Sequence, residues 1–204
     1  MHIDDAVCPA CRKTGLEFTQ EQVDLPYLGE SLETMLRCEA CGYRHVDFIL
    51  TAVKDPTRFS FRVTHEDHMS VRVVRSGSGT IRIPELGISI EPGVASEAFI
   101  SNVEGVLVRI ERVLGQLGRD AEESGDRDAL VRVQELQDLF NRMRLGTADP
   151  VTLILEDPFG NSAIIHPDVI RQPLTEKEAA GLKVGAFVFE QNLDEKGEGK
   201  EEEE

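Results

Sequence analysis

The chain has 204 residues, 40% of them hydrophobic, which is enough for one ordinary domain or two small ones. It carries 22 Lys and Arg against 38 Asp and Glu, a formal charge of -16, so its mean field repels nucleic-acid backbones and anionic membranes; the acidity suits either a salty cytosol or a basic partner. No run approaches the roughly 18 apolar residues of a membrane-spanning helix, and the opening MHIDDAVCPAC has neither a basic region nor an apolar signal core, so a cytoplasmic location is expected.

The four cysteines form two matched pairs, Cys8-x-x-Cys11 and Cys38-x-x-Cys41, with 26 residues between them and no thiol left over. In a chain without an export signal, this spacing points to a metal rather than to disulfides. Two such knuckles offer a tetrahedral Zn²⁺ four thiolates, so one zinc per chain is expected, and with no coordination position open to water or substrate it is structural. Arg12, Lys13, Arg37 and Arg44 flank the pairs and offset the surplus negative charge, while Gly15 and Gly42 suit the tight backbone of the knuckles. A zinc ribbon is assigned to 1–50, its boundary marked by the strand-like run 46–53 and the turn Lys54, Asp55, Pro56.

Short β-like runs follow at 59–63, 69–75, 80–86 and 87–93. In 69–75, Met69, Val71 and Val73 alternate with Ser70, Arg72 and Val74. Ser76-Gly77-Ser78-Gly79 reads as a hairpin turn, and Pro84 as an edge or bulge. Apolar residues from Phe99 through Val103, Val106, Leu107, Ile110, Val113 and Leu114 to Leu117 recur at helical spacing, so a helix is expected from about Ser96, broken by the polar stretch 118–126. A second amphipathic run carries Leu130, Val133, Leu136, Leu139, Phe140 and Met143 and stops at Leu145-Gly146. Strands resume at 151–157, 162–166 and 184–190. The expected body, 51–190, is therefore an antiparallel β-domain of sandwich or barrel type with a helical hairpin inserted at about 95–146. The segment 191–204 has almost no apolar content and is expected to be disordered; its deletion should leave the melting temperature within a few degrees, and a larger fall would show that it docks.

Catalytic signatures are lacking. No nucleophile elbow, P-loop or dinucleotide fingerprint occurs, and the chain is not expected to be an enzyme. His65-Glu66-Asp67-His68 is read as an exposed turn, with a metal there only as a remote option, and His45 and His166 as isolated residues. The run 23–29 between the knuckles is different. It places Leu25, Pro26, Tyr27 and Leu28 in a module with little core to receive them, so these residues are expected either to pack on the β-domain or to meet a partner.

Five ordered motifs, CPAC with CEACGYR, DLPYLGE, VVRSGSGTIRIPELG, SNVEGVLVRIERVL and LILEDPFGNSAI, resemble a single copy of the ZPR zinc-finger family of the "ZPR-one" type from about Cys8 to Phe189. The resemblance implies a zinc ribbon like that of a translation initiation factor subunit, followed by a double-stranded β-helix (jelly-roll-like) domain with a helical hairpin. It also implies a binding protein or chaperone rather than an enzyme, whose partner by analogy is a translation elongation factor of the 1-alpha type, a GTPase. A single copy is typical of archaeal members, the eukaryotic ones carrying two. The competing reading is a nucleic-acid-associated ribbon resting on the same four basic residues, which the net charge opposes.

Overall fold

The structure is a computed structural model that describes residues 2–27, 29–51, 54–93 and 96–184. Its N-terminal part is an antiparallel meander of β1 (His2–Val7), β2 (Thr14–Leu25), β3 (Gly29–Cys38) and β4 (Arg44–Leu50) in that spatial order. The 26-residue spacer between the cysteine pairs is spent almost entirely on the β2–β3 hairpin. Leu16 lies opposite Cys38 at one end and Leu25 opposite Gly29 at the other. At about 3.3 Å per residue, the 12 residues of β2 separate the hairpin tip from the cysteines by roughly 35 Å. Few side chains of this sheet are covered: a small cluster of Cys8, Leu16 and Cys38 is its hydrophobic core.

The second part is a two-sheet sandwich. It comprises β5 (Thr57–Val63), β6 (Arg72–Arg75), β7 (Thr80–Ile83), β8 (Ile88–Ile90) and β9 (Phe99–Asn102), then α1 (Val103–Ser124) and α2 (Arg127–Arg144), then β10 (Val151–Asp157), β11 (Ala163–Ile165), β12 (Ile170–Pro173) and α3 (Glu176–Ala180). A five-stranded sheet in the order β12-β5-β10-β7-β8 faces a three-stranded sheet in the order β11-β6-β9, all pairings antiparallel. This is the jelly-roll-like architecture expected, with strands before and after the helical hairpin paired across it: β10 lies between β5 and β7, with Leu155 opposite both Phe59 and Ile81. Alternation buries Phe59, Phe61, Val63, Leu153 and Leu155 on one face of the large sheet, where they meet Val73 and Ile164 of the small one. The helices close the same core with Val103, Val106, Leu107, Phe140 and Met143.

Several expected boundaries move. The first helix starts at Val103, not near Ser96, because Phe99 belongs to β9 and pairs with Arg75; Asn102 is the cap, its side chain accepting from the Gly105 amide at 2.8 Å. The same helix runs through the polar stretch expected to break it. Arg119, Asp120, Glu122 and Glu123 lie on its solvent face, Ala121 is buried, and the reversal waits for Gly125 in the left-handed conformation and Asp126, which caps α2 through the Ala129 amide. In the run 69–75, a 3-10 turn (Glu66–Ser70) takes up the first residues, and Val74 is as fully buried as Val73 although it points to the other face. Pro84 opens a 3-10 turn that ends β7 rather than marking an edge or bulge. β1 and β12 were not anticipated. The strand expected at 184–190, beyond its first residue, and the tail expected at 191–204 lie outside the described residues.

Candidate metal centre

The two Cys-x-x-Cys turns join β1 to β2 and β3 to β4, and because β2 and β3 are antiparallel they meet at one end of the sheet. Each folds by the same hydrogen bonds. The Cys8 amide donates to the Lys13 carbonyl and the Arg12 amide to the Cys8 carbonyl; likewise the Cys38 amide donates to Tyr43 and the Gly42 amide to Cys38, all at 2.8–2.9 Å. In both turns the residue after the second cysteine is left-handed, Arg12 at φ 59° and Gly42 at φ 75°. Gly42 therefore serves as expected; Gly15 also has a positive φ, 90°, but at the start of β2, and Arg12 takes the place corresponding to Gly42 in the first knuckle.

The four sulfurs lie within 4.8 Å of one another, with Cys8 to Cys41 and Cys11 to Cys38 both 3.7 Å apart. A disulfide would need about 2 Å. A tetrahedron with arms of about 2.3 Å has edges of about 3.8 Å, so the spacing fits a four-thiolate metal. Cys8 and Cys38 are buried, Cys11 is half-buried and Cys41 exposed. The electrostatics of the thiols favour a cation as well. Burial opposes the Cys8 thiolate, yet the Cys11 and Ala10 amides and the neighbouring thiols hold its pKa down to about 7. The Tyr43 amide favours the Cys41 thiolate, but partial desolvation and the other three cysteines outweigh it and push its pKa up to about 12. A cation bound among the sulfurs would favour their thiolate forms. The donor set suits Zn²⁺ or tetrahedral iron, and Cys8, Cys11, Cys38 and Cys41 would hold it with no place left for a reactant.

The other residues singled out from sequence fall at the opposite end of the hairpin. Leu25 closes β2 half-buried, Pro26 and Tyr27 form the tip, and Leu28 lies outside the described residues. Tyr27 stands at φ 71°, an uncommon conformation for a bulky residue, and is 51% exposed. The Arg72 guanidinium sits 5.6 Å from the centre of its ring. The tip thus reaches the sandwich without being buried by it.

Two expectations about polar residues are corrected. His166 is not isolated: its ring lies 5.3 Å from that of His68, and both rest 4.9 Å from Phe61. These rings do not converge on a metal, and the cysteine set is the metal-competent group found among the described residues. Each imidazole Nδ1 of His65, His68 and His166 instead accepts a backbone N–H. Ser76-Gly77-Ser78-Gly79 is not a hairpin turn, since β6 and β7 lie in different sheets and do not pair; it carries the chain from one sheet to the other and does more than turn it. Ser76 and Ser78 donate to the carboxylate of fully buried Asp157 at 2.7 and 2.9 Å, Ser162 at 2.6 Å, and the Phe159 and Asn161 amides complete five donors. Sequence reading missed this hub because its two halves lie about 80 residues apart, Ser76 to Asp157 spanning 81 positions.

A four-cysteine ribbon joined to a jelly roll with a helical hairpin defines a zinc-finger-like, two-part β protein. The family profile described as the ZPR1 jelly-roll domain matches residues 67–179. The chain belongs to the ZPR1 family. It is 41% identical over 182 residues to an uncharacterised ZPR1-like protein of Pyrococcus horikoshii, covering 89% of this chain and 81% of that one, and 39% identical over 184 residues to another from Methanocaldococcus jannaschii, covering 90% and 91%. It is 25% identical over 166 residues to the zinc finger chaperone zpr1 of Schizosaccharomyces pombe, covering 79% of this chain but only 35% of that protein. Among the described residues no helix is long and apolar enough to cross a membrane.

Proposed function

We propose that the protein is a non-enzymatic, zinc-dependent protein-interaction and folding factor, acting in the cytoplasm on a translation elongation factor of the 1-alpha type. One structural Zn²⁺ held by Cys8, Cys11, Cys38 and Cys41 fixes the far end of the β2–β3 hairpin, and the tip residues Leu25, Pro26, Tyr27 and Leu28 meet the client. The closed four-sulfur geometry supports the structural metal, and the name of the fission-yeast relative supports a chaperone role. The observation that carries the reading is Tyr27, half-exposed in a left-handed turn beside exposed Pro26, where an aromatic anchor can enter a partner's pocket.

Affinity capture from the source cytosol, with and without GTP, tests the partner. Tyr27→Ala is expected to weaken capture of the elongation factor at least tenfold, about 1.4 kcal/mol, with zinc content preserved. Its contact with Arg72 is worth about 0.5–1 kcal/mol at an exposed site, so the melting temperature should fall by no more than about 4 °C. Unchanged capture would remove the tip from the interface, and a much larger loss of stability would assign Tyr27 to packing. The nucleic-acid reading rests on Arg12, Lys13, Arg37 and Arg44, all exposed around the knuckles, and makes an opposite forecast: RNA binding with a salt slope of several counterions.

A further inference from the structure

The four sulfurs of the metal centre are not equivalent, and the differences follow from where each stands in its knuckle. Cys8, directly after β1, and Cys38, the last residue of β3, are buried together with Leu16. Cys11, second in its turn, is half-buried and packs against that cluster, as do Ala6, Leu36 and Tyr43. Among the described residues the cluster thus takes in three of the four cysteines; Cys41 stands outside it and is exposed. Its neighbours do little to screen it. Glu39, Ala40 and Gly42 are themselves exposed, and a Cβ built on Gly42 would meet nothing within 4 Å. In the first knuckle the corresponding place carries a long side chain, that of Arg12.

Reactivity at such a centre belongs to sulfur. Four thiolates close the coordination of a metal, yet each keeps lone pairs that an electrophile can take, and oxidation selects the sulfur with thiolate character and exposure. Burial withholds Cys8 and Cys38 from a reagent in solution and partly withholds Cys11. A second sulfur is also in place to complete the reaction, since Cys8 lies 3.7 Å from Cys41 across the two knuckles.

We propose that Cys41 is a redox-modification site: a hydroperoxide oxidises its sulfur first, Cys8 resolves the product as a disulfide, and the ribbon loses its metal. The inference rests on the reading of the centre as a four-thiolate zinc. In the first step the Cys41 thiolate attacks one peroxide oxygen; an S–O bond forms, the O–O bond breaks, and hydroxide leaves when the oxidant is hydrogen peroxide. The sulfur is oxidised by two electrons and the peroxide is reduced by two. In the second step the Cys8 thiolate attacks the sulfenic sulfur; an S–S bond forms and the S–O bond breaks, releasing a second hydroxide. Together two thiolates and one peroxide give one disulfide and two hydroxides. The bridge draws the two sulfurs from 3.7 Å to about 2 Å and leaves Cys11 and Cys38 as two ligands where four are needed. Oxidation thereby removes the clamp from the β2–β3 hairpin and acts as a switch on the ribbon.

The test uses the zinc-loaded, reduced full-length chain and substoichiometric hydrogen peroxide. With a dimedone-type trap present, peptide mass spectrometry should find the sulfenic adduct on Cys41 in roughly tenfold excess over Cys11, with Cys8 and Cys38 unlabelled. Without the trap, a Cys8–Cys41 bridge should form, and a chromogenic chelator should register one zinc released per bridge. Limited alkylation by N-ethylmaleimide should follow the same order, Cys41 first. First adducts on Cys11, a bridge within one knuckle, or zinc still held after the Cys8–Cys41 bridge has formed would each overturn the proposal and leave the four-cysteine zinc standing. A reduced chain that carries no zinc before peroxide is added would instead overturn both.

Discussion

Cys38→Ser is expected to take the metal content from one zinc per chain to none and to unfold the β1–β4 sheet while the jelly roll stays folded. Cys8 and Cys38 are two of the three residues in the sheet's small buried cluster, so serine removes a ligand and a third of that core together. The long β2–β3 hairpin has mostly half-exposed side chains and cannot replace what the metal contributes, which is on the order of 10–16 kcal/mol for comparable zinc modules. Elemental analysis and residue-resolved hydrogen exchange check both halves: Leu16 to Cys38 should lose protection, and Val151 to Asp157 should keep it. Zinc retained by the variant would refute four-cysteine ligation. Loss of protection in both regions would show that the two parts fold as one cooperative unit.

Asp157→Ala should be the most damaging single change in the jelly roll, at about 4 kcal/mol and a fall of roughly 10 °C in melting temperature. Its carboxylate gathers three hydroxyls and two amides at the end of β10, and of these donors Ser76, Ser162 and the Asn161 amide are buried and have no water to turn to when it is removed, while Ser78 and Phe159 are half-buried. The loss extends to Arg75. Burial already lowers the pKa of that guanidinium, with Asp157 working against the effect and Arg109 adding to it, so deletion leaves a buried cation less compensated. Asp157→Asn keeps the shape but turns an amide donor toward donors, and should recover only part of the loss. Thermal unfolding of both variants at constant zinc content measures this, and a change under 1 kcal/mol for alanine would mean that the serine hydroxyls repair the site among themselves.

The same hub explains why a local reading of Ser76-Gly77-Ser78-Gly79 stops at the turn. A cross-chain carboxylate cannot be seen from four residues, although the family motifs that carry the resemblance, VVRSGSGT and LILEDPFGNSA, are the two segments it ties together. Gly160 in the second motif is needed for a related reason: a side chain there would collide with the Asp55 carbonyl, and the backbone is already left-handed at φ 64°. The error at the start of α1 has a similar origin. Phe99 continues the helical spacing of Val103 and Val106, and only its pairing with Arg75 in β6 places it in a strand.

What the sequence determined by itself was whatever depends on short-range pattern and chemistry. Two Cys-x-x-Cys turns specify a thiolate pair each, period-two runs specify β5, β7 and β10, and period-3.6 runs specify the two helices, because backbone geometry ties each pattern to one local conformation. The tertiary structure decided the relations between distant segments. It turned the 26-residue spacer into a hairpin that carries Tyr27 away from the cysteines and onto Arg72, gathered five donors on Asp157, brought His166 to His68, and led Lys183 across the sheet to Glu91 beside β8. These contacts depend on strand order and register, which follow from the joint burial of side chains far apart in the chain and so leave no signature in any one stretch of it.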